Sequence, residues 1–429
     1  MDPTDSIPEK PGQTVLSQQA GPPGLPVTDA EEFRSSFGET LEQALDLNTW
    51  HHGEDLANLY DRLQQEIAEA VKQEDELRER VRKVVFPRLE DRAGAPKGGG
   101  VYRAEVANIE KTHRGLLFNG QVEACDGTSV PFDSLPITIV QIGVCTVSYR
   151  GDQGSWVHRL YRRDLRLGGS DPVAETLDVL EQRQKRSGYD GTSRKDKLSE
   201  LARRGVMTFA ERSVLMNMCK APWRMGHGNP TPYELLTGAG MKELLDKSLP
   251  LLTALVEHGR FVFVPSSPAD RLCLTIGNAL QFPEYAIVDT LEDNILRLAE
   301  TGKYWPGYGE RVKKFGKEYG KQIIKGVFRA SQMGPAQMFY AHIDHAHEAA
   351  LIALADSVLQ DVRGFPMLID LADMLCRTTF GRETLAAPTQ TAYAEAGEPF
   401  GYVTSGSWLR RRCGKQINRR WNCAKSSER

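Results

Sequence analysis

From Glu54 to Phe86 the apolar residues Leu56, Leu59, Tyr60, Leu63, Ile67, Val71, Leu77, Val81 and Val84 recur mostly three or four apart among dense Glu, Gln, Lys and Arg. That period predicts one long amphipathic helix ended by Pro87, whose stripe packs on the chain's own body or on a helix of a second copy. After the Gly98 to Gly100 break the pattern becomes that of strands. Val122 to Cys125 is short, Ile137 to Tyr149 is long and β-branched, and Trp156 to Tyr161 follows the turn Gly151 to Gly154. Helical patterns occupy about Val173 to Gln184 and Leu198 to Met218, with a polar, basic loop at Gly188 to Lys197 between them. Further on, Phe261 to Val264, Tyr285 to Val288, Ile323 to Phe328 and Met338 to Ile343 alternate with helices. The alternation predicts an α/β fold, a mixed sheet flanked by helices and preceded by the long helix.

Composition changes this picture at the two ends. Residues 1 to 30 hold six prolines and three glycines with few large apolar side chains, which predicts a disordered start extending to about residue 50. The net charge of −3 hides a segregation, because Ser405 to Arg429 carries eight cations against the single acid Glu428. A basic tail of +7 on a body of about −10 suits either a phosphate-rich partner or a solvated end. The seven cysteines form no CxxC pair, which argues against a zinc ribbon and fits a reducing cytoplasm. No apolar run approaches the roughly 18 residues of a membrane span, so no membrane partner is expected.

Four features carry candidate chemistry. Asp126, in Cys125-Asp126-Gly127-Thr128-Ser129, stands where a short strand meets a glycine, either as a turn residue or as a strand-end carboxylate open to a divalent cation. Tyr340 to Glu348 gathers His342, Asp344, His345, His347 and Glu348, which reads either as a metal or proton-transfer cluster or as a buried polar layer capping a helix. Asp370 and Asp373 follow Gly364-Phe365-Pro366, and Asp289 ends the run Tyr285 to Val288. Each is either a helix or strand terminus carboxylate or a metal ligand. Between Lys303 and Lys325, the cations Arg311, Lys313, Lys314, Lys317 and Lys321 interleave with Tyr304, Trp305, Tyr308, Phe315 and Tyr319. Phosphate attraction beside aromatic faces suits single-stranded nucleic acid, although part of that aromatic set also suits a core. Met225 to Glu234 reads as a Gly/Pro-rich loop, neither a P-loop nor a dinucleotide fingerprint, and no Walker lysine or GxSxG is present.

Taken in order, these pieces resemble the NurA family, the nucleases that process DNA ends with the HerA translocase. Cys125-Asp126-Gly127-Thr128 is similar to the family's strand-end Asp-Gly-Ser, Ile323 to Ser331 to its late strand ending in a basic residue, and Gly364-Phe365-Pro366 to Asp373 to its Gly-Tyr-Pro segment and helix. Coverage runs from about residue 55 to 400. The resemblance implies an RNase H-like nuclease domain over residues 51–404, with a helical arm at 54–90, an α/β core at 101–404 and the basic tail at 405–429. It implies a manganese- or magnesium-dependent deoxyribonuclease that works as a homodimer beside a HerA-like hexameric ATPase in DNA repair. On this reading Asp126, Asp373 and Asp289 are catalytic, Asp126, Asp373 and Asp344 hold metal, and Arg329, Lys313, Lys314, Lys317, Trp305 and Tyr308 contact DNA. The chain departs from the family at three places. Phe365 and Asp373 stand where the family has Tyr and His. The family's middle Asp-Gly is missing after Phe261 to Val264, where Asp270 or Asp289 is the available substitute. The family's helical Glu has three candidates, Glu211, Glu234 and Glu243. These departures leave two rivals: a NurA-like DNA-binding adaptor without catalysis, and a metal-dependent hydrolase of small molecules.

Overall fold

The computed structural model describes residues 30–50, 56–134, 136–151, 154–164, 171, 173–174, 177, 200–267, 270–302 and 304–398. The Pro/Gly-rich start to residue 29, most of Val173 to Gln184, the loop Gly188 to Lys197, Lys303 and the basic tail lie outside the described residues. The chain divides into two compact units, Met1–Glu74 and Asp75–Arg429.

Within the first unit, helix Leu41–Leu45 starts at a capping box in which Thr40 and Gln43 satisfy each other's backbone N–H groups. Most of α1 (Leu56–Val84) also belongs to it, the 29-residue helix that the spacing of apolar residues predicts. Its stripe is not packed away, since Leu63 is 48% exposed and Ile67 53%, and Val81 is the buried member.

The second unit is built on a nine-stranded sheet in the order β1-β7-β8-β9-β6-β5-β2-β3-β4. The strands are β1 (Gly100–Arg103), β2 (Val122–Ser134), β3 (Ile137–Val147), β4 (Trp156–Asp164), β5 (Trp223–His227), β6 (Phe261–Val264), β7 (Glu284–Thr290), β8 (Ile323–Phe328) and β9 (Gln337–His342). β2, β3 and β4 are antiparallel neighbours, whereas β5 and β6 run parallel to β2. This is the mixed sheet that the alternation of patterns predicts, and β9, β8, β7 and β1 extend it by antiparallel pairing.

Alternation along the strands sends side chains to two helical layers. Val262 and Val264 face one core with Ala349, Ile352 and Ala353 of α8 (Ala346–Val358) and Leu368 and Ile369 of α9 (Met367–Phe380). Phe261 and Phe263 face the other. They meet Val214 and Leu215 of α3 (Glu200–Asn217), Leu252 and Leu255 of α4 (Lys242–His258), Ile295 of α6 (Glu292–Thr301) and Val312 and Phe315 of α7 (Tyr308–Tyr319). Two shorter helices, α2 (Val106–Thr112) and α5 (Arg271–Ala279), complete the described set that matters here.

Two strands are absent from the expectation above. β1 is four residues long, and β5 occupies Trp223 to His227, with Met225, Gly226 and His227 inside the stretch read as a Gly/Pro-rich loop. The glycine that weakens β5 as a sequence signal is a packing requirement, because a Cβ on Gly226 would stand 2.2 Å from Cε1 of Phe263. α9 is held by Asp356, a fully buried residue of α8 that accepts hydrogen bonds from the Leu368 N–H at 2.9 Å and from the Tyr149 hydroxyl. Among the described residues the five cysteines are buried and unpaired, and no helix is long and apolar enough to cross a membrane.

Gly226→Ala should therefore force Phe263 off β5 and destabilise the unit by about 1–3 kcal/mol. Chemical unfolding would register this as a lower midpoint at unchanged slope, and an unchanged midpoint would contradict the close approach of ring and strand.

Candidate active site

Register brings the candidate site together. Cys125 of β2 pairs with Gly226 of parallel β5, so the next residues, Asp126 and His227, stand side by side at one edge of the sheet. Oδ1 of Asp126 lies 3.4 Å from Nδ1 of His227 and accepts from the Gly127 N–H at 2.8 Å. α3 crosses above and delivers Glu211, whose Oε1 would be 2.6 Å from a Cβ on Gly127. Only glycine after Asp126 lets that carboxylate come so close. α9 contributes Asp373 from the other side, and a cavity of about 390 Å³ opens among these residues.

Arg212 organises the site from below. It is 2% exposed, pairs with Glu211, and donates from Nη2 to the carbonyls of His227 at 3.2 Å and Asn229 at 2.6 Å. Its guanidinium lies over the Phe263 ring, 4.8 Å from the centroid. One buried cation thus ties α3, the exit of β5 and β6 together.

Charges around the cavity alternate. Its acids are Asp126, Glu211, Glu234, Asp370 and Asp373, and its bases are Arg204, Arg212, His227, Arg363 and Arg377. Each acid has a basic partner: Asp126 with His227, Glu211 with Arg212, Glu234 with Arg204 at 2.5 Å, Asp370 with Arg363, and Asp373 with Arg377 at 2.7 Å. Burial pushes the Glu211 carboxyl up to about 7; Arg212 opposes the shift, and the neighbouring Asp126 carboxylate adds to it. Asp373 is raised by burial and by Asp126, against Arg377. Burial lowers the His227 imidazole, but the hydrogen bond and charge of Asp126 outweigh it and the net shift is upward.

The donor set of three carboxylates and an imidazole has the chemistry of a manganese or magnesium site, hard oxygen ligands with one borderline nitrogen. Among the described residues, however, no three His, Cys, Asp or Glu side chains converge closely enough to hold an ion. Asp126 faces His227, and Glu211 faces Arg212, rather than a common centre.

Of the residues singled out from sequence, Asp126 and Asp373 line this cavity, and Glu211 is the helical Glu nearest Asp126. Glu234, which is buried, and Asp370 also line it, and Glu243 is not part of the lining. Asp289 is held elsewhere by Arg92 at 3.2 Å and Lys325 at 3.7 Å, and Asp270 caps α5 and pairs with Lys325 at 2.9 Å. Asp344 is exposed and meets Lys97 at 3.3 Å. His342 lies 3.9 Å from it and contacts Gln322, His347 meets the Tyr285 hydroxyl, and His345 packs edge-on with Trp223. Lys314 and Lys317 are exposed on α7, and Lys313 lies 3.9 Å from Glu300. Tyr308, edge-on to Trp305, holds Asp246 with its hydroxyl and is flanked by Arg311 and Lys242, so its ring is occupied by the chain's own cations. Arg329 lies in a separate arginine-lined cavity. His227 and Arg212 went unseen in the sequence, and the Gly-His-Gly after three strand-like residues is the signal that marks the first of them.

Because the folded Glu211 carboxyl titrates above its unfolded value, its contribution to stability is complete below about pH 4.5 and is lost as pH rises through about 7. The unfolding free energy of the wild type should therefore fall relative to Glu211→Gln across that window, by up to about 3 kcal/mol. Parallel pH profiles of the two proteins would contradict the assignment.

No protein-family model and no curated protein matches the chain. Solved structures do. The crystal structure of the NurA nuclease from Sulfolobus solfataricus is similar at 10% identity and a TM-score of 0.41, covering 79% of this chain and 98% of that one. A NurA structure with manganese is similar at 11% identity and a TM-score of 0.35, covering 73% and 97%. A NurA structure bound to dAMP and manganese matches at 11% identity and a TM-score of 0.32, over 69% and 92%. At these scores they are distant likenesses, from which nothing about this chain's chemistry follows.

Proposed function

We propose that this protein is a metal-dependent nuclease that hydrolyses DNA phosphodiesters in the cavity around Asp126. The observation that carries the reading is the meeting of Asp126, Glu211, His227 and Asp373 in one cavity at the sheet edge. The NurA resemblance supports it in a specific way. The family's pattern has a middle Asp-Gly after a buried strand and a His on the last helix. β5, the strand beside β2, ends in His227-Gly228, and the last helix of the site carries Asp373. An acid and an imidazole stand in exchanged places, so the four positions still sum to three carboxylates and one imidazole.

Asp126, Glu211, His227 and Asp373 would hold the divalent ion. When bound, such an ion supplies Lewis-acid polarisation of the phosphodiester and lowers the pKa of the attacking water. The side chains contribute the remainder. Arg204, Arg363 and Arg377 at the rim neutralise and orient the phosphate. The same proposal includes a cytoplasmic homodimer that uses the exposed stripe of α1, and a HerA-like ATPase as partner.

The pairing of every lining acid with a base favours a second reading, a NurA-like adaptor that clamps DNA without cutting it. The two separate in one assay. With manganese, the wild type should degrade single- or double-stranded DNA, and Asp126→Ala should lose at least about 100-fold of that rate. Equal rates in both proteins would remove Asp126 from the chemistry, and salt-sensitive DNA binding without any cutting would establish the adaptor.

A further inference from the structure

The edge of the sheet that carries Asp126 continues well beyond the catalytic cavity. β9 antiparallel to β6, β8 to β9 and β7 to β8 put the end of β8, the start of β7 and the end of β1 on the same edge as His227 and Val264. Along it four cavities lie side by side, each sharing one wall residue with the next. The acid cavity shares Asn229 with a second, of about 400 Å³, beside Lys325 and Tyr340. That one shares Met338 with a third, of about 260 Å³, which shares Asn278 with a fourth of about 530 Å³. Four strand spacings separate Asp126 on β2 from the residues that follow β8, about 19 Å, or roughly six nucleotide steps at duplex rise.

The fourth cavity is the arginine-rich one, lined by Arg78, Arg82, Arg103 and Arg329 against the two acids Asp75 and Glu79. Arg82 is committed to Glu284 through two hydrogen bonds of 2.7 and 3.1 Å, and Arg78 meets Asp75 at 3.2 Å. Arg329 differs. It is half-buried, its buried Nε has no hydrogen-bond partner, and it has no acid within ion-pair distance among the described residues. Burial and the facing charge of Arg78 both disfavour its guanidinium charge. A buried donor without an acceptor beside a like charge costs stability until an anion occupies the cavity.

We propose that these adjoining cavities form one groove for a single strand of DNA, running from the acid cavity to a phosphate seat at Arg329, with Arg103 at its mouth. The inference rests on reading the acid cavity as a phosphodiester site, and it gives that site a direction and a footprint. Backbone phosphate supplies the counter-charge that the Arg329 guanidinium lacks, and a covalent string of phosphates suits a row of adjoining cavities better than a single small anion does.

The test is fluorescence anisotropy of a labelled 12-nucleotide oligothymidylate on the full chain in EDTA, where binding is read without cleavage. Arg329→Gln should weaken binding roughly ten-fold and reduce the slope of log K against log salt by about 0.7, the value of one single-strand phosphate contact. Arg103→Gln, a change at an exposed residue that leaves folding intact, should also lower affinity and slope. Unchanged affinity and slope in both variants would overturn the groove. Manganese-dependent cleavage measured in parallel keeps the two ideas apart. A chain that binds through Arg329 yet never cuts loses the nuclease reading and keeps the groove, and one that cuts but binds equally well in both variants loses the groove alone.

Discussion

The buried pair of Glu211 and Arg212 is the interaction on which the site depends. Neighbours on α3, they bring opposite charges into an interior where neither survives alone, and truncating one partner of such a pair typically costs about 3–5 kcal/mol. Arg212 spends its remaining donors on the carbonyls of His227 and Asn229 and its face on Phe263. The position of His227 therefore depends on α3, not only on the ladder of β5. Gly127 and Gly226 complete the arrangement by leaving room, the first for Glu211 and the second for Phe263. A helix, three parallel strands and two missing Cβ atoms make one unit whose product is a set of carboxylates around a cavity.

That unit explains what was legible in the sequence and what was not. Long strongly patterned segments are self-announcing: α1 follows from its three-and-four spacing, and β3, β6 and β8 from β-branched or apolar runs that are almost uniformly buried. Asp126 is legible because Asp-Gly interrupts the apolar run of β2, although the strand continues through it to Ser134, and Asp373 because it follows Gly364-Phe365-Pro366, although it stands in the middle of α9. β5 is not, since in five residues it holds Arg224, Gly226 and His227, and it is a strand through its neighbours β2 and β6. The apolar run of β6 is thus the stronger signal of the two neighbouring strands, and the end of β5 at His227 carries no apolar pattern to mark it. Choosing Glu211 over Glu234 and Glu243 needs the position of α3 over Gly127, a contact between residues 84 apart in the chain. The aromatics of α7 mislead for a related reason: Tyr308 has the composition of a base-stacking surface, but Arg311, Lys242 and Asp246 already occupy it.

Charge is distributed with the same economy. The total of −3 conceals a cavity whose acids and bases balance pair by pair, and an arginine cavity further along the same edge. Balance at the acid cavity lets it fold without an ion, at the cost of engaging the groups an ion would need. Opening that site to a cation requires Asp126 to turn from His227 and Glu211 from Arg212, leaving the released bases for the incoming phosphate. Such an exchange of partners is inexpensive where both arrangements keep every buried charge compensated.

Direct measurement of that exchange is the sharpest test. Titrating manganese into the protein and following loss of the free-ion electron paramagnetic resonance signal reports ion uptake without reference to any substrate. The account predicts saturable uptake by the wild type that is lost in Asp126→Asn and in Glu211→Gln, with both variants folded. No saturable uptake, or uptake that both variants retain, would contradict a metal site built on these carboxylates.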